Sequence, residues 1–475
     1  MPRPREIYLL DPQEYSPETI AVAFAKTSRS PESFRKIASE LTGESSAEFN
    51  EKWVVGYGHS SVSEHAVLHI AVENISRLAV ECLESNRLAS YTEKSTRYQQ
   101  WSCEDFHIPE EFAESKIRDL YIETCLALFQ LYEKSLPAVA ASLEKEYPHK
   151  QDETPARRNR IILTAAGDVC RFLLPVSAFA NVGMTINARA LEHAITKMLS
   201  HPLLEVQKIG MEIKEIAKSS LPTLLKYANR QPSLQSTAGF FEKSVPNVAE
   251  ISDSNSFPGA RLVRFDADFE NQILLAAIIR YSGYTYAQAV EFLTSMTADA
   301  RKEFYANIFG ILGDHDIPIR ELEYGNFIFE VILDQGAYLE LKRHRMMTQT
   351  PSPFTPRFGY SIPLEIKKAG LLNDYSSVME KAGETYHRLA SISIPAASYV
   401  LPNAYNRQVI LQSNFRSLFH FLSLRSAPNA HFSMRRIAQE MTDQMIKVSP
   451  NLGSFLRTNP GETAQQIEKE YFYRV

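Results

Sequence analysis

Cysteine is scarce in this chain: four residues in 475, Cys82, Cys103, Cys125 and Cys170, none in C-x-x-C spacing. That rules against a disulfide framework or a thiolate zinc site and suits a reducing compartment. No metal is expected. Long hydrophobic runs are also missing, and nowhere do about 18 apolar residues follow one another, so no membrane span is expected. The N-terminal "MPRPREIYLLDPQEYSPE" holds no apolar stretch of signal-peptide length. Positive charge is not in excess either. The formal net charge is −5, which gives no global basic field to draw the chain to nucleic acid. These absences predict a soluble, cytoplasmic protein.

What is present is length and repetition. A chain of 475 residues exceeds what one hydrophobic core organises, so two or three domains are expected. Residues 229–260, "NRQPSLQSTAGFFEKSVPNVAEISDSNSFPGA", are rich in Ser, Asn, Pro and Gly and read as a linker between domains 1–228 and 261–475. The halves share a grammar. "AVAFAKTSRSPESFRKIASEL" matches "LLAAIIRYSGYTYAQAVEFL" as helical patterning; "YGHSSVSEH" and "GDHDIPIRE" read as glycine-histidine turns. "AVLHIAVE" and "NFIFEVIL" read as strands, each before a helix that ends in an arginine-rich stretch. Farther on, "CRFLLPVSAFANVGMTINARALEHAITKM" aligns without a gap on "ASYVLPNAYNRQVILQSNFRSLFHFLSLR". Leu-Pro followed at fixed spacing by Asn-x-Arg-x-Leu-x-His predicts a tandem duplication.

Two stretches carry the chemistry. In "ECLESNRLASYTEKSTRYQQW" a Ser-x-Arg-Tyr loop sits behind a predicted helix. In "LKRHRMMTQTPSPFTPRFGY" three basic residues, Arg343-His344-Arg345, stand together. A hydroxyl with a guanidinium fork suits phosphate, which arginine binds bidentately. The same stretches also read as a solvated loop and as a helix C-terminus complementing its dipole. His59 and His65 read equally as core histidines, and "SVSE" at 61–64 as a capping box. Asn414, Leu418, Phe421 and Arg425 share one face of a predicted helix, with Asn414 and Arg425 about 16 Å apart. That face reads as a ligand-contacting surface or as core from which Arg425 snorkels outward.

The run "GHSSVSEH", "ISR", "NRLASYTEKSTRY", "LP" and "NAR" resembles the FAD-dependent thymidylate synthases, which methylate dUMP without a cysteine nucleophile. The family's signature is R-H-R, seven residues, then S-x-R, usually followed by Tyr. The resemblance implies an α/β (α+β) fold of two tandem thymidylate synthase-like domains, each a small sheet with long helices. It implies reductive methylation of dUMP to dTMP, with FAD as cofactor and NADPH and methylenetetrahydrofolate as co-substrates. It also implies sites shared between subunits of a homotetramer, which a homodimer of this duplicated chain would mimic.

Matched position by position, each half is incomplete. The resemblance makes Glu93, Ser95, Thr96, Arg97, Arg171 and Arg425 the nucleotide-binding set. Arg425 is the catalytic residue that would favour the uracil N3 anion. FAD would be held by His59, Ser61, Arg87, Asn187, Arg189 and His193 in the first half. In the second half it would be held by His315, Arg343, His344, Arg345, Asn414, Arg416 and His420. In the first half R-H-R has become Ser85-Asn86-Arg87, and Met198 stands where the uracil-activating arginine belongs. In the second, Pro353 and Thr355 stand in place of S-x-R, unless Thr355-Pro356-Arg357 serves by a two-residue slip, and Ser398 replaces Arg171. The losses are complementary, which predicts one composite pocket drawn from both halves. Two alternatives stay open: a related flavoenzyme acting on another pyrimidine nucleotide, suggested by Thr92 where the family usually has Asn, and a non-catalytic nucleotide-binding member.

Overall fold

The structure is a computed structural model, and it describes residues 6–28, 30–56, 59–97, 99–147, 153–244, 259–310, 312–313 and 315–474. Its strands are β1 (Val67–Ser76), β2 (Ala89–Glu93), β3 (Phe179–Asn187), β4 (Gly259–Phe265), β5 (Phe327–Asp334), β6 (Thr348–Pro351), β7 (Ile362–Pro363), β8 (Asn406–Ser413) and β9 (Phe472–Tyr473). They form three sheets, ordered β1-β3-β2, β4-β5-β8-β6 and β7-β9. The rest of the regular structure is mainly helix. This mixed architecture of small sheets and helices is the fold class the sequence predicts.

The duplication is visible in topology. In the first half β3 lies between β1 and β2, both antiparallel to it. In the second, β8 lies in the same way between β5 and β6, and β4 is added outside β5. Local chemistry repeats too. Each of β1, β3, β5 and β8 runs into a helix whose N-cap side chain accepts a backbone N–H: Ser76 from Ala79, Asn187 from Ala190, Asp334 from Ala337 and Asn414 from Ser417. Short polar side chains at such positions satisfy donors that the first helical turn cannot. Strand alternation sets the buried face. Ala180, Val182, Met184 and Ile186 of β3 point inward, as do Val409 and Leu411 of β8.

The chain divides into two compact units. One comprises Met1–Ser95, Glu104–Arg118 and Ser177–Val248; the other comprises Thr96–Cys103, Asp119–Val176 and Ala249–Val475. This division differs from a cut at 229–260, because 96–103 and 119–176 of the first half belong to the second unit. Two features inside that unit explain it. The turns Leu174-Pro175 and Leu401-Pro402, equivalent in the two repeats, bond each other reciprocally: Val176 N–H to Leu401 O at 3.0 Å and Asn403 N–H to Leu174 O at 2.9 Å. Helix Ser115–Glu146 also contacts helix Leu372–Ala390 in antiparallel fashion, through Glu123 with Lys381, Thr124 with Thr385 and Lys134 with Asp374. The stretch read as a linker opens with helix Pro232–Ser244 and ends in β4; its residues 245–258 lie outside those described.

The second unit's core packs Phe327, Phe329, Val331 and Leu333 of β5 with Val409 and Leu411 of β8. Phe415, Leu418, Phe421 and Leu422 of helix Phe415–Arg425 complete it. Fully burying each such side chain contributes about 1.5–3 kcal/mol. This core fixes the end of helix Phe415–Arg425 against helix Gln335–Leu341.

Candidate active site

Helix Gln335–Leu341 is buried along its whole length. Its cap, Asp334, accepts from Ala337 N–H at 2.8 Å and from the Ser433 hydroxyl. Burial raises the Asp334 carboxyl above the usual carboxylate range, against the pull of Ser433 and Arg171. Gly336 and Glu340 lie one helical turn apart and so share a face. Both meet Arg171, which donates from Nη2 to Gly336 O at 3.3 Å and stands 3.8 Å from Glu340 Oε1. Arg171 belongs to the first repeat. It reaches this helix because the Leu-Pro turn after it is bonded to the second repeat's turn, and because its own carbonyl accepts from Asn403 Nδ2 at 3.0 Å.

Glu340 also holds Arg425. Arg425 Nη1 donates to Glu340 Oε2 at 3.0 Å, and its Nε donates to His344 Nε2 at 2.8 Å. Arg425 thus turns inward, with 13% of its side chain exposed, rather than snorkelling into solvent. Arg97 completes the set. Its Nε and Nη2 bind Asp168 bidentately at 2.6 and 2.8 Å, and Nη1 donates to Asn429 O at 2.9 Å. His431 donates from Nε2 to the Asp168 carbonyl at 3.1 Å. Burial lowers the proton affinity of both Arg171 and Arg425, and the charge of Arg97 lowers it further in each. Three of the expected nucleotide-binding arginines therefore lie within electrostatic reach of one another in a single unit, interleaved with two carboxylates.

His344 is a neutral imidazole, since its Nε2 must accept from the arginine. Burial first, then Arg425, His420 and Arg343, push its pKa down to about 3. The unfolded value is about 6.5. Below that value the unfolded chain takes up a proton that folded His344 refuses, so stability from this group is lost as pH falls. The thermal midpoint is expected to decline as pH drops from 7 towards 4, with a shallower decline in His344→Gln. An identical pH slope in that variant would refute this account.

The other expected residues are distributed more widely. Glu93 and Ser95 belong to the first unit, and Thr96, which is buried, to the second. Glu93 pairs with Arg77 at 2.8 Å, both only 2% exposed. Tyr98 lies outside the described residues. Asn187 and Asn414 spend their side-chain oxygens as helix caps. Arg189 pairs with Glu64, and Arg416 with Glu323 at 2.6 Å and Pro318 O at 3.0 Å. His59, Ser61, Arg87, His193, His315, Arg343 and His420 are exposed, and Arg345 is half-buried. The His344 and His420 rings are 6.0 Å apart. Ser85 and Asn86, where R-H-R has been lost, both accept from Lys197, next to buried Met198. Thr355 accepts from Arg357 N–H, and Arg357 is exposed over the Phe358 ring. Ser61 makes no side-chain cap, so the capping box read at 61–64 does not form; a short 3-10 turn stands there.

Asp168, Glu340, Asp334 and His431 were not legible as site residues. The available signal was spacing: Asp168 precedes Arg171 by one helical turn, and Glu340 precedes the R-H-R by three residues. Among the described residues no cluster of three or more His, Cys, Asp or Glu side chains forms a metal site, and no helix is long and apolar enough to cross a membrane.

The family described as thymidylate synthase complementing protein matches residues 10–223 and again 261–451. A UPF0159 protein of Chlamydia muridarum is 29% identical over 88% of this chain and 82% of its own length. Another, from Thermoplasma acidophilum, is 25% identical over 87% of this chain and 88% of its own. The flavin-dependent thymidylate synthase of Clostridium tetani is 26% identical over 45% of this chain and 82% of its own. Among solved structures, the UMP/dUMP methylase PolB from Streptomyces cacaoi aligns with 43% of this chain and 98% of its own, at 18% identity and a TM-score of 0.34. Matched in both of its halves, the chain belongs to the thymidylate synthase complementing protein family and carries that domain twice.

Proposed function

We propose that this chain is a flavin-dependent thymidylate synthase that converts dUMP to dTMP at a composite site built from both repeats. One observation carries the reading: Arg97 and Arg171 of the first repeat and Arg425 of the second come together in one unit. These are the positions that the two degenerate motifs retain separately. Family membership and the flavin-dependent thymidylate synthase relatives support it.

In this reading Arg97 and Arg171 supply positive charge for the dUMP phosphate, because charge-assisted bonds to arginine are strong and directional. Arg425, fixed through Nε by neutral His344, presents preorganised charge to the pyrimidine, where it would stabilise an anion at N3 and so make C5 nucleophilic. The methylene carbon would come from methylenetetrahydrofolate and the reducing equivalents from NADPH. FAD when bound supplies the redox and carbon-transfer chemistry. The turn after helix Gln335–Leu341 fits an anionic, diphosphate-bearing cofactor: Arg343 and Arg345 stand there as cations, with His420 nearby. The equivalent place in the first repeat fits less well, since Lys197 engages Ser85 and Asn86. A homodimer would present four family domains, as a homotetramer of single-domain relatives would.

The bidentate Asp168 bond to Arg97 favours the second, non-catalytic reading, because it occupies the fork that a phosphate would use. The visible spectrum of the purified protein, followed by dUMP turnover with both co-substrates, separates the two. A yellow protein that releases FAD and forms dTMP is expected. A protein that stays colourless in excess FAD would overturn the proposal.

A further inference from the structure

Glu340 holds a buried oxygen that the fold leaves without a hydrogen bond. Its Oε2 accepts from Arg425, but Oε1 accepts from nothing among the described residues. The side chain is only 8% exposed, and Arg171 Nη2, the cation facing Oε1, is 3.8 Å away, beyond hydrogen-bond distance. Arg171 Nε is likewise buried, with no hydrogen-bond partner among the described residues. Native interiors seldom leave such groups unmatched, because each forfeits its solvation for nothing. The neighbouring Arg425 uses Nε and Nη1 in the bonds above, and its Nη2 carries two further N–H donors. Read from Glu340 to Arg425, the order is carboxylate, guanidinium, or acceptor, donor.

That order complements one kind of pyrimidine edge. A uracil-type ring presents carbonyl, N3–H, carbonyl: acceptor, donor, acceptor. A cytosine-type ring presents acceptor, acceptor, donor, and would set its N3 lone pair against the carboxylate. We infer that Glu340 is a specificity-determining residue whose Oε1 accepts the pyrimidine N3–H while Arg425 donates to an adjacent carbonyl, so that the site selects an imide ring over an aminopyrimidine. This deepens the proposed function and rests on it. It also gives the N3 proton a destination: the N3–H bond breaks, an O–H bond forms on Glu340, and the charge left on the ring faces Arg425.

The test is calorimetric titration of the full-length, FAD-saturated protein with dUMP, dCMP and N3-methyl-dUMP. Wild-type protein is expected to bind dUMP about 10- to 100-fold more tightly than the other two, the range for a hydrogen bond to a charged group. Glu340→Gln is expected to lose most of the preference for dUMP over dCMP, since an amide can present either a donor or an acceptor. Equal affinity of wild-type protein for dUMP and N3-methyl-dUMP would overturn the assignment while leaving the proposed function standing; so would a Glu340→Gln protein with unchanged selectivity. Wild-type protein that binds none of the three would overturn both. The N3-methyl comparison needs no variant, so it stands whether or not the substitution is tolerated.

Discussion

Arg425→Ala is expected to lower dUMP turnover by about 100- to 1,000-fold, the loss typical when one preorganised donor to a developing anion is removed. The same change should destabilise the second unit. Glu340, left among the described residues with the more distant Arg171, becomes a buried carboxylate without its bonded partner, which typically costs about 3–5 kcal/mol. The two effects separate by measurement. Arg425→Lys restores the charge but not the two-nitrogen fork that spans His344 and Glu340, so it should regain much of the stability and little of the turnover. Steady-state kinetics on folded protein, with thermal unfolding alongside, reads both. An Arg425→Ala enzyme that turns over dUMP like the wild type would refute the composite site.

Arg77→Met is expected to cost the first unit about 3–5 kcal/mol, because it removes one member of a buried ion pair. The pair is among the most buried in the unit, each side chain 2% exposed, and Arg77 also donates to Lys94 O at 3.0 Å. Replacing both charges, as in Arg77→Met with Glu93→Leu, should recover most of that loss, since an apolar pair of similar volume is often neutral or better. Denaturant unfolding of the two variants checks this. A single variant as stable as wild type would show that the pair contributes nothing. The result also bears on the expected nucleotide contact of Glu93: if the double variant is well folded and binds dUMP as tightly as wild type, Glu93 acts only as a structural partner of Arg77.

Much of the architecture was legible in the residues because it is encoded locally. The strands read at "AVLHIAVE" and "NFIFEVIL" form as β1 and β5, since alternation and β-branched content act over a few residues. Asn187 and Asn414, read as equivalent, become equivalent helix caps. Even the short 3-10 turns at Arg171–Leu173 and Ser398–Val400 fall where the gapless alignment puts them. The region 229–260 was less legible: its polar composition suggested a linker, yet helix Pro232–Ser244 forms there.

The sequence by itself determined the duplication and, in each repeat, one strand with the helix that follows it. Those properties depend on spacing and on side chains a few residues apart. Only the tertiary structure decided which residues answer the arginines. Asp168 lies 71 residues from Arg97, and Glu340 lies 85 from Arg425; a counterion is chosen by which backbones the core brings together, which no local pattern records. The tertiary structure also decided that Arg171 of one repeat serves a helix of the other, through two Leu-Pro turns whose backbone groups must bond something once buried, and bond each other.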